Sequence, residues 1–180
     1  MTAPMPHVWT ADEYDRLPES DNVRRELVDG VLWVAPGPRD LHQILVARLC
    51  VALHDSAPRD QYRVTQGVEV KLGELLRYIP DVLAVTVAAG RNRSQFYAHE
   101  LVLAVEVESP SSLSLDRIIK PAHYANAGIP YYWRVELDDE VRLVVHENVG
   151  GTYRVVGTFI GKVELEVPWA VSFDLNELTA

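Results

Sequence analysis

Only one cysteine, Cys50, occurs in the 180-residue chain. A lone thiol can form neither an intrachain disulfide nor a four-cysteine zinc site, so the reducing cytoplasm is the expected compartment. Long hydrophobic runs are missing as well. The longest near-continuous apolar stretch, Ile44 to Leu53, is interrupted by Arg48 and falls short of the ~20 residues a membrane-spanning helix needs. Met1 to Trp9 carries two prolines and no basic residue ahead of an apolar run, unlike a secretory signal. A soluble protein without a membrane partner is expected. Positive charge is scarce: 17 Lys plus Arg face 26 Asp plus Glu, for a net charge of -9. That surplus repels phosphate backbones, so a nucleic-acid partner has to be held by a local basic patch or through a bound cation. Aromatic residues make up only 8%, which argues against a carbohydrate cleft. What is present is ordinary: 48% hydrophobic and 24% charged residues, in a length that suits one folded domain over residues 1–180.

Thr10 followed by Glu13 has capping-box spacing and predicts a short helix from Ala11 to Leu17, stopped by Pro18. Arg25 to Val34 reads as a β-hairpin, because Asp29-Gly30 between two apolar runs favours a type I′ turn. Ile44, Leu45, Leu49, Ala52 and Leu53 recur at helical spacing, predicting a long helix over Arg39 to Asp55. Gln61 to Leu72 and Leu75 to Val87 read as strands broken at Gly67 and Gly73, and Ala88 to Ser94 as a loop. Leu101 to Val107 is a nearly uninterrupted apolar strand of the kind buried on both faces. A helix from Ser114 to Asn126 follows, with Leu115, Ile118, Ile119 and Ala122 on its apolar face and Gly128 as its stop. Further strands are expected at Tyr131 to Leu137, Val141 to Glu147, Thr152 to Phe159 and Val163 to Val167. The order reads as a mixed α/β (α+β) fold.

Two acids sit where acids are costly. Asp81 lies in a strand of apolar neighbours, and Glu106 near the end of the most apolar strand in the chain. Strand alternation puts Glu106 and Glu108 on the same face. A carboxylate pressed against a dry sheet must be paired, protonated or bound to a cation. Magnesium suits such a place, since one or two carboxylates plus waters satisfy it.

These residues resemble a known pattern. Pro80-Asp81, Glu106 within V-E-V-E-S-P-S-S, and Lys120 resemble the PD-(D/E)XK nuclease superfamily, in its variant with the lysine moved onto a following helix. More narrowly, R-E-L-V-D-G-V-L, His42-Gln43, P-D-V-L-A-V, L-A-V-E-V-E-S-P-S-S, D-R-I-I-K and Y-A-N-A-G-I-P-Y-Y-W, in that order, resemble the Uma-two family of bacterial restriction-endonuclease-like proteins. The resemblance implies a restriction-endonuclease-like core, a central mixed β-sheet flanked by helices. It also implies Asp81, Glu106 and the backbone carbonyl of Val107 as ligands of Mg2+, or Mn2+, and Lys120 as the catalytic lysine. The implied activity is endonuclease hydrolysis of DNA, and relatives suggest a homodimer. Glu108 occupies the position two residues after the acid where the superfamily usually carries its lysine; inside the same cavity it becomes a further metal ligand. Glu26, His42 and Gln43 are accessory candidates.

Plainer readings stand beside these. Pro-Asp is a common loop dipeptide. Lys120 lies four residues after Asp116, the spacing of a surface ion pair worth about 0.3 to 0.5 kcal/mol. Glu26 can be the polar side of an alternating strand, and His42 a solvated cap. Two other functions remain open: a nucleic-acid-binding or protein-interaction module that kept the fold and lost catalysis, and a hydrolase using Glu106 and Glu108 as an acid/base pair.

Overall fold

The protein was analysed as a computed structural model that describes residues 7–18, 23–35, 37–109 and 113–180. Helix α1 (Ala11–Tyr14) opens on the expected capping box, the Thr10 hydroxyl accepting from the Glu13 N–H while the Glu13 carboxylate accepts from the Thr10 N–H. It ends three residues short of Leu17. The hairpin of β1 (Arg24–Val28) and β2 (Val31–Ala35) turns at Asp29 and Gly30, with φ of 50° and 76°, the two positive values a type I′ turn requires. Helix α2 (Asp40–Ser56) buries Leu45, Val46, Leu49 and Leu53 along one stripe.

Strands β3 (Tyr62–Gln66), β4 (Glu69–Gly73), β5 (Leu76–Tyr78) and β6 (Val82–Thr86) follow, with Gly67 at φ 62° separating the first two. A short strand, β7 (Gln95–Tyr97), then leads to β8 (Leu101–Val107). One π-helical turn, Leu115–Ile119, runs into α3 (Lys120–Asn126), which ends before Gly128 at φ 83°. The chain closes with β9 (Tyr131–Leu137), β10 (Val141–Val149), β11 (Thr152–Ile160), β12 (Lys162–Leu165), β13 (Val171–Asp174) and α4 (Leu175–Thr179). β7, β13 and α4 lie outside the elements the sequence pattern predicts.

Six strands form the main sheet in the order β11-β10-β9-β8-β6-β3, antiparallel throughout except for the parallel β8–β9 pair. Five form a second sheet, β2-β1-β5-β4-β7, and β12 and β13 make a ribbon. β8 is buried on both faces, as its unbroken apolar run predicts. Leu103, Val105 and Val107 pack with α2 and with Val163, Trp169 and Leu175 of the C-terminal elements. Ala104 joins the opposite core, where Val28, Val70, Tyr78 and Phe96 of the second sheet meet Tyr124 of α3. The main sheet is therefore covered by helices on one side and by α3 and the second sheet on the other. No helix among the described residues is long and apolar enough to cross a membrane.

The apolar face expected for the 114–126 helix is corrected here. Ile118 points outward at 69% exposure, while Asp116 and Lys120 are buried. Pro121 has no N–H to continue an α-helical ladder and its ring crowds the carbonyl one turn back. The wider π turn, with the Lys120 N–H bonded to the Leu115 carbonyl, accommodates it and rotates the preceding residues.

This packing sets a stability test. Leu103→Ala should lower the free energy of unfolding in urea by about 2–5 kcal/mol, whereas Ile118→Ala should stay within about 0.5 kcal/mol.

Candidate active site

The antiparallel register of β6 and β8 pairs Val82 with Val105. One step outward, Asp81 and Glu106 leave adjacent strands side by side. Asp81 sits at the bend immediately before β6 rather than within the strand, and its Oδ2 accepts the Val107 N–H at 2.9 Å. Glu106 is buried on the face of β8 that looks toward α3.

Lys120 reaches them from the first turn of α3. Its Nζ stands 3.0 Å from Glu106 Oε1, 3.3 Å from Asp116 Oδ1 and 3.4 Å from Glu26 Oε1. The Tyr78 ring lies below it, 5.5 Å from Nζ to the centroid. One helical turn on, the Tyr124 hydroxyl donates to Glu106 Oε1 at 2.7 Å. The Asp116–Lys120 pair is thus a buried part of the cluster, not an exposed i,i+4 pair.

Glu26 arrives from β1 of the second sheet. Its Oε1 accepts the Ile79 N–H at 3.0 Å and fixes the chain just ahead of Asp81. Arg24, two residues earlier on the same strand face, sends its guanidinium between the acids: Nη1 donates to Asp81 Oδ1 at 2.7 Å, and Nη2 lies 3.4 Å from Glu26 and 3.9 Å from Glu106 Oε2.

Of the other candidates, His42 faces the cluster from the first turn of α2. Its Nε2 approaches the Val107 carbonyl oxygen at 3.0 Å and Asp81 Oδ2 at 3.3 Å. The carbonyl expected to complete a metal shell is therefore engaged by the histidine. Gln43, a helical step of ~100° further round, is exposed. Glu108 does not join the cavity. Its carboxylate is gripped by Arg117, at 2.7 Å to Nε and 2.6 Å to Nη2, and by Arg134 Nε at 3.0 Å.

Four carboxylates (Glu26, Asp81, Glu106, Asp116) thus face two permanent cations, Arg24 and Lys120. Burial tends to raise the Asp81 carboxyl, but the His42 hydrogen bond and the Arg24 charge outweigh it and hold the group well below the usual carboxylate range. Glu106 goes the other way: its complete burial raises it, the Lys120 ammonium offsets only part of this, and Asp81 and Asp116 add to the rise. Burial works against the Lys120 ammonium, yet Glu106, Glu26 and Asp116 together push its pKa up, so it stays charged. The sequence pattern marks neither Arg24 nor Tyr124, despite the Arg24/Glu26 alternation and the Lys120/Tyr124 spacing, and it offers Asp116 only as a surface partner of Lys120.

Among the described residues no group of three or more His, Cys, Asp or Glu side chains forms a ready-made metal cage. The donor chemistry nevertheless fits a hard divalent ion held by few protein ligands. Asp81 and Glu106 offer oxygens from adjacent strand ends, four carboxyl groups meet only two cations, and the Arg24 guanidinium lies between the two acids.

The architecture is that of a mixed α+β protein, with the acid–lysine cluster buried where β6, β8 and α3 meet. A crystal structure from Anabaena variabilis, of a protein described as "a putative nuclease belonging to DUF820", matches with a TM-score of 0.78 at 17% identity, over 94% of this chain and 97% of that one. The Uma2 family, described as "Putative restriction endonuclease", matches residues 11–179, and the chain belongs to that family. None of the curated proteins matches the chain.

Glu108 makes a clear test of structure against chemistry. Glu108→Gln should cost about 1–3 kcal/mol of stability in urea, because two guanidiniums lose their shared carboxylate. An unchanged midpoint would release Glu108 from this structural role.

Proposed function

We propose that the protein is a metal-dependent endonuclease that hydrolyses phosphodiester bonds in DNA, with Asp81, Glu106 and Lys120 at the reacting centre. The carrying observation is the buried meeting of these three groups at the adjoining ends of β6 and β8 and the start of α3, where carboxyl groups outnumber cations. Such perturbed, converging groups mark functional sites more often than they stabilise folds.

Asp81 and Glu106 would hold the cation, Mg2+ or Mn2+. When bound, it supplies Lewis-acid polarisation of a phosphoryl oxygen and makes water a better nucleophile. Lys120, locked in its charged form, cannot serve as a base near neutral pH; it donates hydrogen bonds and stabilises negative charge developing on the phosphate oxygens. Tyr124, raised well above an ordinary phenol by burial and by Glu106, stays a neutral donor that fixes the orientation of the Glu106 carboxylate. Asp116 and Glu26 hold the Lys120 ammonium in place from two sides. His42 steadies Asp81 and the Val107 carbonyl from α2.

Cutting both strands of a duplex takes two such centres of opposite polarity, which a two-fold homodimer supplies. A nucleic-acid-binding module without catalysis is the second reading. It is favoured by the internal neutralisation of Asp81 through Arg24.

The test is cleavage of supercoiled plasmid and of a labelled duplex in Mg2+, in Mn2+ and in excess EDTA. Cutting should require the metal, and Asp81→Ala and Lys120→Met should each lower the rate by at least ~100-fold while keeping the parent's circular dichroism. Cutting that survives EDTA, or variants as active as the parent, would dismiss the mechanism. A folded parent that binds duplex without cutting it would favour the second reading.

A further inference from the structure

Arg24 is placed unlike the other members of the cluster. Its guanidinium spans Asp81 Oδ1 at 2.7 Å and Glu106 Oε2 at 3.9 Å, the same two carboxylates that would hold a divalent ion. A guanidinium and a metal cation cannot share that position, since like charges within ~4 Å repel strongly in a partly dry site. Lys120 cannot be the group that yields. Its side chain is 3% exposed and closed in by Glu26, Glu106, Asp116 and the Tyr78 ring. The Arg24 side chain is 25% exposed. It also lines an open cleft of about 460 Å³ together with Tyr14, Asp15, Arg25, Glu69 and Ile79, so its head group has somewhere to go and acids to meet there.

We propose that Arg24 is a displaceable internal counter-ion: it fills the cation position between Asp81 and Glu106 in the metal-free protein, and a divalent ion binds by driving its guanidinium out into the adjacent cleft. This rests on the metal-dependent reading above and adds to it a residue that sets metal affinity. In the metal-free state Arg24 spares the paired acids the cost of facing each other unanswered. In the metal-bound state its charge moves to the wall of that cleft, which the carboxylates of Asp15 and Glu69 also line. Arg24 acts through the metal site, so it is a positioning residue for this chemistry.

The experiment is a Mn2+ titration read by the electron paramagnetic resonance signal of the free ion, on the intact protein without nucleic acid. Arg24→Ala should bind Mn2+ about tenfold more tightly than the parent, because the ion no longer competes with a resident cation. Added methylguanidinium should weaken Mn2+ binding by that variant and leave the parent's unchanged, a response that a merely structural arginine does not give. Arg24→Lys supplies the same test if the alanine variant does not fold: a single ammonium on a shorter stem cannot bridge both acids, and its affinity should fall between the other two. Parent-like or weaker Mn2+ binding by the folded variants, with Asp81→Ala abolishing binding, would overturn the counter-ion role and leave the metal site standing. Absence of Mn2+ binding by the parent and by both Arg24 variants would overturn the metal reading itself, and this inference with it.

Discussion

A carboxylate deprived of water has to be answered by something, and the architecture around Glu106 is an answer to that demand. The residue stands on a strand buried from both sides, against Tyr124 and Tyr132. The Tyr124 hydroxyl at 2.7 Å, the Lys120 ammonium at 3.0 Å and the Arg24 guanidinium at 3.9 Å supply that answer. Packed hydrophobic residues of the same volume are often as stable as a buried ion-pair cluster, so stability alone does not account for these groups.

Topology brings the members together from distant parts of the chain. β6 and β8 run antiparallel, which aligns their ends and leaves Asp81 beside Glu106. The second sheet then lays β1 across that opening and delivers Arg24 and Glu26 from one strand face. α2 supplies His42 from one side of the main sheet, and α3 supplies Lys120 and Tyr124 from the other. β8 divides its side chains by alternation: Leu103, Val105 and Val107 join the core beneath α2, while Ala104 and Glu106 face α3 and the second sheet.

Much of this was legible in the residues, for identifiable reasons. The unbroken apolar run of β8 announced a strand buried on both faces and made Glu106 conspicuous. Asp29-Gly30 announced its turn. Arg24 was not conspicuous, because its partner Asp81 lies 57 residues away and nothing local distinguishes it from a solvated strand arginine. The face of the 114–126 helix was misjudged because a regular 3.6-residue period was laid over a π turn; Pro121 was the sign of that irregularity. Gln43 was grouped with His42 by adjacency, yet neighbours on a helix point ~100° apart. β13 and α4 escaped because Pro168 breaks the alternation before them, although Asp174, whose carboxylate accepts the Asn176 N–H, marks the start of α4 in the usual way for a cap.

Glu108 follows Glu106 by two residues, on the same side of the chain's course, and it holds Arg117, three residues ahead of Lys120. The carboxylate is therefore a tether between the strand that carries Glu106 and the turn that leads to Lys120. Moving a charged group from strand to helix adds a joint that could drift, and this carboxylate removes the slack. A lysine at 108 would put a third cation beside Arg117 and Arg134 and set loose the very segment from which Lys120 projects.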